Sequence, residues 1–463
     1  MERPDFMQKG ELARLIPVVA DTSKEERAAS VLLAGLRGVK AFREAMLGSL
    51  GLRLGKRAMV EAWTEVTFKE GRGSKGKGKR GKQDRPDGLI ALNTSRSTWH
   101  ALVETKIGNA EVDADQLESY VEQARRHGID AVITVSNQFV AMPSHHPVKL
   151  PKTASKGVEL FHWSWMYVLT QATLVLEEGV EAPDQEFLLS EIVRFFSHDS
   201  SGVKRFHSMS KEWKEVVGKV KTNATLSKTS EEVENTVSSW HEEQRDLALV
   251  MSRRLQRPVR QRLKTSHRRD PLKRLQDDCE GLVTNYELRG EFDIPNAAAP
   301  LEVVANLKTR TIVCGMRIGA PKDRKSTKAR VNWLTRQLKD ANPEGLHIEA
   351  IRPGRAQSTQ VPLGDALEEP TTLDSPETTA VPTAFYVFYL LDLAGKFAGS
   401  KVFIERLEEA VPYFYEQAGQ QLRAWVAPPP KMHPENPAIA ASEDTDEEGN
   451  ESGRSSTDED STE

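Results

Sequence analysis

Two carboxylates and a lysine lie close together in the first quarter of the chain, where two neighbouring strands would bring them side by side. Asp87 follows Pro86 at the start of one apolar stretch, and Glu104 lies two residues before Lys106 on the next. Side chains alternate faces along a strand, so Glu104 and Lys106 project to the same side. Adjacent carboxylates repel unless a cation lies between them, and all-oxygen ligation suits Mg²⁺. The pattern predicts metal-dependent phosphodiester hydrolysis, with Lys106 orienting a water and stabilising negative charge.

The same residues have a structural interpretation that the sequence leaves open. Pro86, Asp87 and Gly88 form a common turn tripeptide, and Glu104 and Lys106 could be the solvated face of an edge strand. The flanking apolar stretches favour a central sheet, and therefore the catalytic interpretation.

A helix is predicted over 113–127, with Gly128 as its C-cap, and it carries Gln116 and Tyr120 one turn apart. Two interpretations of this pair remain open. Both residues could belong to the site, or Gln116 could form a capping box with Asp113 while Tyr120 is a core aromatic.

The elements around these residues predict an α/β fold with a mixed sheet flanked by helices. Overlapping capping boxes, Thr22 with Glu25 and Ser23 with Glu26, begin a long helix whose apolar face runs to Leu50. Predicted strands and helices follow at 59–68, 88–92, 99–107, 113–127 and 131–135, with a further strand and helix around 160–176. The order is helix, three strands, helix, strand.

These motifs resemble the PD-(D/E)XK nuclease superfamily over about residues 40–175. Asp87 matches the Asp after Pro, Glu104 and Lys106 match E-x-K, and Gln116 with Tyr120 looks like the Q-x-x-x-Y motif of the RecB-like branch. The resemblance implies a restriction-endonuclease-like fold with Mg²⁺, or Mn²⁺ as a substitute, held by Asp87, Glu104 and Thr105. It also implies that Gln116 and Tyr120 contribute to the active site and DNA binding. The chain has two cysteines, so the four-cysteine iron–sulfur cluster of one RecB-like subgroup is not expected.

The family often adds a carboxylate from its first helix, and three residues compete for that role. Glu44 lies on the predicted helix and is the preferred candidate. Glu65 and Glu61 lie on one face of the first predicted strand. The sequence does not decide between them.

The rest of the chain is expected to hold or select the substrate. Its 463 residues suggest several domains. The predicted divisions are a nuclease-like domain (1–198), a basic helical connector (199–275), a small α+β domain (276–367), a linker (368–383), C-terminal helices (384–428) and a disordered acidic tail (429–463).

The charge distribution favours a polyanionic partner. The stretch 69–85 has 8 basic and 2 acidic residues, and 252–274 has 10 basic and 1 acidic, whereas 431–463 carries a net charge of −9. Basic clusters of this kind suit nucleic acid, although a solvated surface is the common alternative. Apolar runs are too short for a membrane span and Met1–Gly10 shows no secretory signal, so we expect a cytoplasmic protein.

The expected function is Mg²⁺-dependent DNA cleavage, by analogy in restriction, defence against phage or DNA repair. Two alternatives remain open: an inactive nuclease-like nucleic-acid-binding or scaffold protein, and an RNA-processing nuclease. The sequence also leaves open whether the chain forms a homo-oligomer or binds partner proteins.

Overall fold

The computed structural model describes residues 4–17, 23–69, 85–95, 97–151, 153–427 and 429. Most of the basic stretch 69–85, the cap residue Thr22 and nearly all of the acidic tail lie outside these ranges, so their expected roles stay predictions. No helix in the described part of the chain combines the length and the apolar character needed to cross a bilayer. The described residues up to Trp425 form one compact unit.

The first half of this unit is built on a six-stranded mixed sheet whose strands follow their sequence order. The first four are antiparallel, and the last three are mutually parallel. The strands are β1 (Met7–Leu12), β2 (Met59–Phe68), β3 (Gly88–Asn93), β4 (Thr98–Thr105), β5 (Ala131–Ser136) and β6 (Glu159–Ser164).

Helices cover both faces of this sheet. Four pack on one face over a core that includes Ile90, Val103 and Ile133, and the fifth, α3, packs on the other over Leu102 and Val132. This confirms the expected mixed α/β architecture. The helices are α1 (Lys24–Gly38), α2 (Lys40–Gly48), α3 (Ala114–His127), α4 (Trp165–Glu178) and α5 (Pro183–Ser197).

The first predicted helix is divided into two. Val39 is extended, with φ −113° and ψ 107°, and separates α1 from α2. Gly38 ends α1 where Leu188 of α5 approaches; a Cβ at residue 38 would lie 2.6 Å from the Leu188 side chain. Ser23 makes no side-chain capping hydrogen bond, so its expected capping box is not formed.

The second half is built on a seven-stranded antiparallel sheet with the order β12-β11-β13-β10-β9-β8-β7. Its strands are β7 (Arg260–Gln261), β8 (Glu287–Asp293), β9 (Leu301–Asn306), β10 (Thr311–Gly319), β11 (Leu346–Ile351), β12 (Thr359–Pro362) and β13 (Ala384–Asp392). Its helices are α6 (Trp213–Lys221), α7 (Glu231–Leu255), α8 (Thr265–Arg269), α9 (Pro271–Asn285), α10 (Thr327–Thr335), α11 (Leu363–Glu368) and α12 (Ser400–Phe414).

The expectation of helix from residue 384 onward is wrong for the β13 segment. β13 lies centrally in the sheet and pairs with β10 and β11 over most of its length. Its aromatic-rich apolar run is compatible with a buried helix or strand, and pairing on both sides decides for the strand. The C-terminal segment therefore shares a sheet with 276–367.

Two other segments are more integrated than their composition indicated. Helices α6 and α7, expected to form a connector, bury Trp213 and Trp240 in the same core as the second sheet. The expected linker 368–383 is held by Arg352, whose guanidinium donates to the carbonyl oxygens of Leu373 and Ala380.

Candidate active site

Asp87, directly before β3, lies beside Glu104 of β4, as the sequence predicted. Gly88 pairs with Val103 in the antiparallel register, so Asp87, one residue earlier, is opposite Glu104. Gly88 permits this placement, because a Cβ there would collide with Leu33 of α1 and lie 3.0 Å from the Trp63 carbonyl oxygen. The close approach of α1 to the sheet therefore requires glycine beside Asp87.

Glu104 is almost completely buried, with 3% of its side chain exposed. Its Oε1 accepts hydrogen bonds from Lys106 Nζ (2.6 Å) and Gln116 Nε2 (2.9 Å). Its Oε2 is buried and has no hydrogen bond of good geometry among the described residues, and the Tyr120 hydroxyl interacts with the carboxylate more weakly. Burial, assisted by the charge of Asp87 and opposed by Lys106, raises the pKa of Glu104 to about 7. Glu104 therefore has one buried carboxylate oxygen without a good hydrogen bond, next to the carboxyl group of Asp87.

Asp87 is held by the strand that carries Glu104. Its Oδ2 accepts from the Thr105 backbone N–H (2.7 Å) and from the Thr105 hydroxyl (2.6 Å), and no partner is found for Oδ1 in the described chain. Burial raises the pKa of Asp87 despite these hydrogen bonds. Burial alone would lower the pKa of Lys106, but its hydrogen bond to Glu104 and the surrounding carboxylates raise it, so the lysine is a cation.

Residues at the start of α3 both cap the helix and reach Glu104. The Asp113 carboxylate caps α3 by accepting from the Asp115 and Gln116 backbone N–H groups. The Gln116 side chain instead reaches into the site and donates to Glu104 and to the Tyr120 hydroxyl (2.9 Å each). Tyr120 is buried and donates to the Arg85 carbonyl oxygen at 3.3 Å. The pair therefore joins α3 to Glu104 and to the segment that leads into Asp87.

A carboxylate that the sequence argument assigned to capping lies next to the site. Glu25, in the first turn of α1, accepts from the Ile107 backbone N–H at 3.3 Å, and its charge raises the pKa values of both Asp87 and Lys106. The apolar face that predicts the first helix gives no sign that Glu25 lies near the site. The signal available was an acid in the first turn of the first helix.

Of the three carboxylates named from the sequence, Glu44 and Glu61 lie away from Asp87, and Glu65 lies in the same pocket as Asp87. Glu44 is exposed on α2 and interacts with Arg43. Glu61 pairs with Arg37 at 3.0 Å. Glu65 lies on the wall of the pocket that contains Asp87, where it pairs with Arg85 at 3.2 Å.

Glu65 is placed there by an irregularity in β2. The pairing of β1 with β2 shifts register next to it, and its φ of +57° is left-handed, which is rare for a residue with a Cβ. The pocket has a volume of about 210 Å³ and is also lined by Arg14, Ser30 and Arg85. The irregularity therefore shapes the cavity beside Asp87.

The backbone of Lys106 is fixed at both of its polar groups. Its N–H donates to the Val135 carbonyl oxygen at 2.8 Å, and its carbonyl oxygen accepts from Trp165 Nε1 at 2.8 Å. Trp165 is fully buried at the start of α4. The position of the lysine is therefore set by β5 and α4 together.

Three histidines on or beside the sheet, His145, His146 and His162, belong to no group of metal-ligating side chains in the described part of the chain. The Thr134 hydroxyl bridges His146 Nε2 and His162 Nδ1 at 2.8 Å each, and His146 Nδ1 contacts the backbone of Val148. Burial lowers the pKa of His146 to about 4 and that of His162 to about 3, so both are neutral. His145 contacts the Arg268 carbonyl oxygen instead.

The basic stretch 252–274 is largely ordered. It comprises the end of α7, β7, α8 and the start of α9. Most of its arginines and lysines are exposed, whereas Arg274 is buried and contacts Gln244 and Asp278. Arg262 pairs with Glu291 and Asp293, and Lys273 pairs with Asp277, so this surface keeps only part of the positive charge that the sequence indicated.

No family model, curated protein or solved structure matches this chain.

Proposed function

We propose that this protein is a Mg²⁺-dependent nuclease that hydrolyses phosphodiester bonds in DNA, on a core resembling the PD-(D/E)XK nucleases. The observation that carries the proposal is the state of Glu104. A buried carboxylate with one unpartnered oxygen, facing the half-buried carboxyl group of Asp87 and bonded to a lysine, is costly unless a cation binds there.

The donor set fits a hard divalent cation. Asp87 and Glu104 each have a carboxylate oxygen without a partner in the described chain, and the Thr105 hydroxyl is already bonded to Asp87, which leaves its main-chain carbonyl oxygen. Among the described residues, no three His, Cys, Asp or Glu side chains are close enough to form a metal site alone. Mg²⁺ would take its remaining ligands from water and substrate oxygens, as it usually does. When bound, the ion supplies a polarised phosphate and a more acidic water.

The chain's own residues then have separable roles. Lys106, held by Glu104, is positioned to orient a water and to stabilise negative charge on the reacting phosphate. Gln116 fixes the Glu104 carboxylate through Oε1, which leaves Oε2 for the cation. Glu25 acts on the site through its charge and through the Ile107 N–H that follows Lys106.

The charge pattern supports nucleic acid as substrate. The cluster at 252–274 carries this support, because acids outnumber arginines in the lining of the pocket next to Asp87, and of its two arginines Arg85 pairs with Glu65. Cations at such positions bind phosphates of any sequence, and the binding weakens as salt rises. The proposed nuclease therefore binds DNA mainly through contacts with the phosphate groups, whatever the base sequence.

The test is incubation of the full chain with supercoiled plasmid, linear duplex DNA, single-stranded DNA and single-stranded RNA, each with Mg²⁺, Mn²⁺ or EDTA. Cleavage of DNA with Mg²⁺ and none with EDTA is expected. Asp87→Asn should abolish it in a protein with an unchanged circular dichroism spectrum. Cleavage confined to RNA would replace the proposed substrate, and the absence of cleavage in every arm would refute the proposed activity.

A further inference from the structure

A second pocket opens on the surface among α4, α5, the segment after α5 and α7, and it shares no residue with the pocket at Asp87. Its volume of about 600 Å³ lies in the range of small-molecule sites. One side of the pocket is apolar and the other is basic. Its principal lining residues are Met166, Leu169, Phe196, Lys204, Arg205 and Arg253.

Arg253 on α7 is an unneutralised cation in this pocket. Its guanidinium donates to the Thr170 hydroxyl, and no carboxylate of the described residues lies within 4.0 Å of it. The side chain is half-buried, and its burial lowers the pKa, an effect that the charges of Asp246 and Glu408 oppose and that of Arg205 reinforces. A desolvated guanidinium with unused N–H groups is a strong site for a phosphate or carboxylate.

The neighbouring cations leave the pocket positively charged. Arg205 forms an ion pair with Glu408 at 2.9 Å, whereas the one side chain of the described ranges that Lys204 bonds is neutral, namely Asn109, whose amide oxygen accepts at 2.6 Å. Asp199 is the acidic residue in the lining. After these internal pairs, Lys204 and Arg253 remain available to an anion.

The opposite wall suits a flat apolar group. Met166 and Leu169 of α4 and Phe196 of α5 line it together with Val203. Phe196 and Met166 are almost completely buried, so a ligand would meet mainly Val203 and the edge of Leu169. We infer that the pocket binds a nucleoside phosphate, with its phosphate at Arg253 and Lys204 and its base against Val203 and Leu169. The ligand could arrive as a free nucleotide or as part of a strand, since the recognising chemistry is the same.

The pocket is connected to the backbone of Lys106. The Phe196 ring packs on Trp165, with 5.0 Å between centroids, and Trp165 donates to the Lys106 carbonyl oxygen. From the basic side, the Gly202 carbonyl oxygen accepts from the Gly108 N–H at 3.1 Å, two residues beyond Lys106. A ligand in this pocket would therefore contact elements that position the lysine. The inference concerns binding and does not require the proposed cleavage.

The experiment is isothermal titration calorimetry of the full chain, with adenosine monophosphate, inorganic phosphate and a ten-nucleotide single-stranded DNA as separate probes. EDTA is present throughout to prevent metal-dependent cleavage. Adenosine monophosphate should bind saturably and more tightly than phosphate. Arg253→Gln should weaken binding at least about tenfold, and Thr173→Trp, which fills the pocket without changing charge, should do the same. Arg254→Gln is the matched control, because Arg254 is the next residue of α7 and does not line this pocket.

The mononucleotide and oligonucleotide probes distinguish a free nucleotide from a nucleic-acid strand as the ligand. Binding of the oligonucleotide without the mononucleotide would assign the site to a nucleic-acid strand, provided that both pocket variants weaken it. If Arg253→Gln fails to fold, Thr173→Trp decides alone. The inference is overturned if no probe binds, or if the pocket variants bind as the wild type and Arg254→Gln do.

Discussion

Replacing Glu104 with glutamine should stabilise the metal-free protein, and more so at high pH. The pKa of Glu104 is about 7 in the folded protein against 4.5 for an unperturbed glutamate. The folded state therefore holds this proton more tightly than the unfolded state, and the native state loses stability as pH rises from 4.5 through 7. Glutamine keeps the shape of the side chain and removes the titration.

The expected effect follows from those two pKa values. At pH 5.5 the ionisation of Glu104 costs the native state about 1.4 kcal/mol, and at pH 8 about 3.4 kcal/mol. The stability gained by Glu104→Gln should thus be greater at pH 8 than at pH 5.5 by about 2 kcal/mol.

Urea denaturation of both proteins in EDTA at the two pH values measures this difference. Mg²⁺ should then stabilise the wild type at pH 8, because it offsets the buried charge, and should have little effect on Glu104→Gln. A gain in stability that does not change with pH would refute the description of Glu104 as a buried acid with a raised pKa.

Three further outcomes are expected. Glu25→Gln should slow cleavage at least about tenfold, because it removes a charge next to the site, while Glu44→Gln should cleave at the wild-type rate in the same plasmid assay. Glu65→Gly should be more stable in urea than Glu65→Ala by about 1 kcal/mol, because both lose the ion pair and only alanine keeps a Cβ at positive φ; equal stabilities would argue against the irregular backbone there. His162→Gln should lower the pH of acid unfolding. The native state holds this histidine neutral with a pKa of about 3, so wild-type stability falls as pH drops below 6.5, and an unchanged acid midpoint would contradict this.

The strands that carry the site could be predicted closely because their signals are local. The first predicted strand has the same bounds as β2, and α3 begins after its Asp113 cap and ends at Gly128, whose φ is +67°. Alternation along a strand was also sufficient to place Glu104 and Lys106 on one face. These features depend on residues near one another in the sequence.

The features that were missed depend on distant contacts. Glu25 joins the site because α1 crosses the end of β4, and the break at Val39 arises where α5 packs against α1. β13 is a strand because β10 and β11 lie on both sides of it. A single sequence contains no direct signal for these pairings, and an apolar run does not by itself distinguish a buried helix from a buried strand.

The most direct test of the central claim is plasmid cleavage by the wild type and Lys106→Ala, measured side by side with Mg²⁺ and with EDTA. Lys106 donates to Glu104 at the centre of the site, so its loss should slow cleavage at least about a hundredfold while the fold is retained. We expect Mg²⁺-dependent cleavage by the wild type, none with EDTA, and this loss in the variant. Cleavage by Lys106→Ala at the wild-type rate would contradict the assignment of the active site.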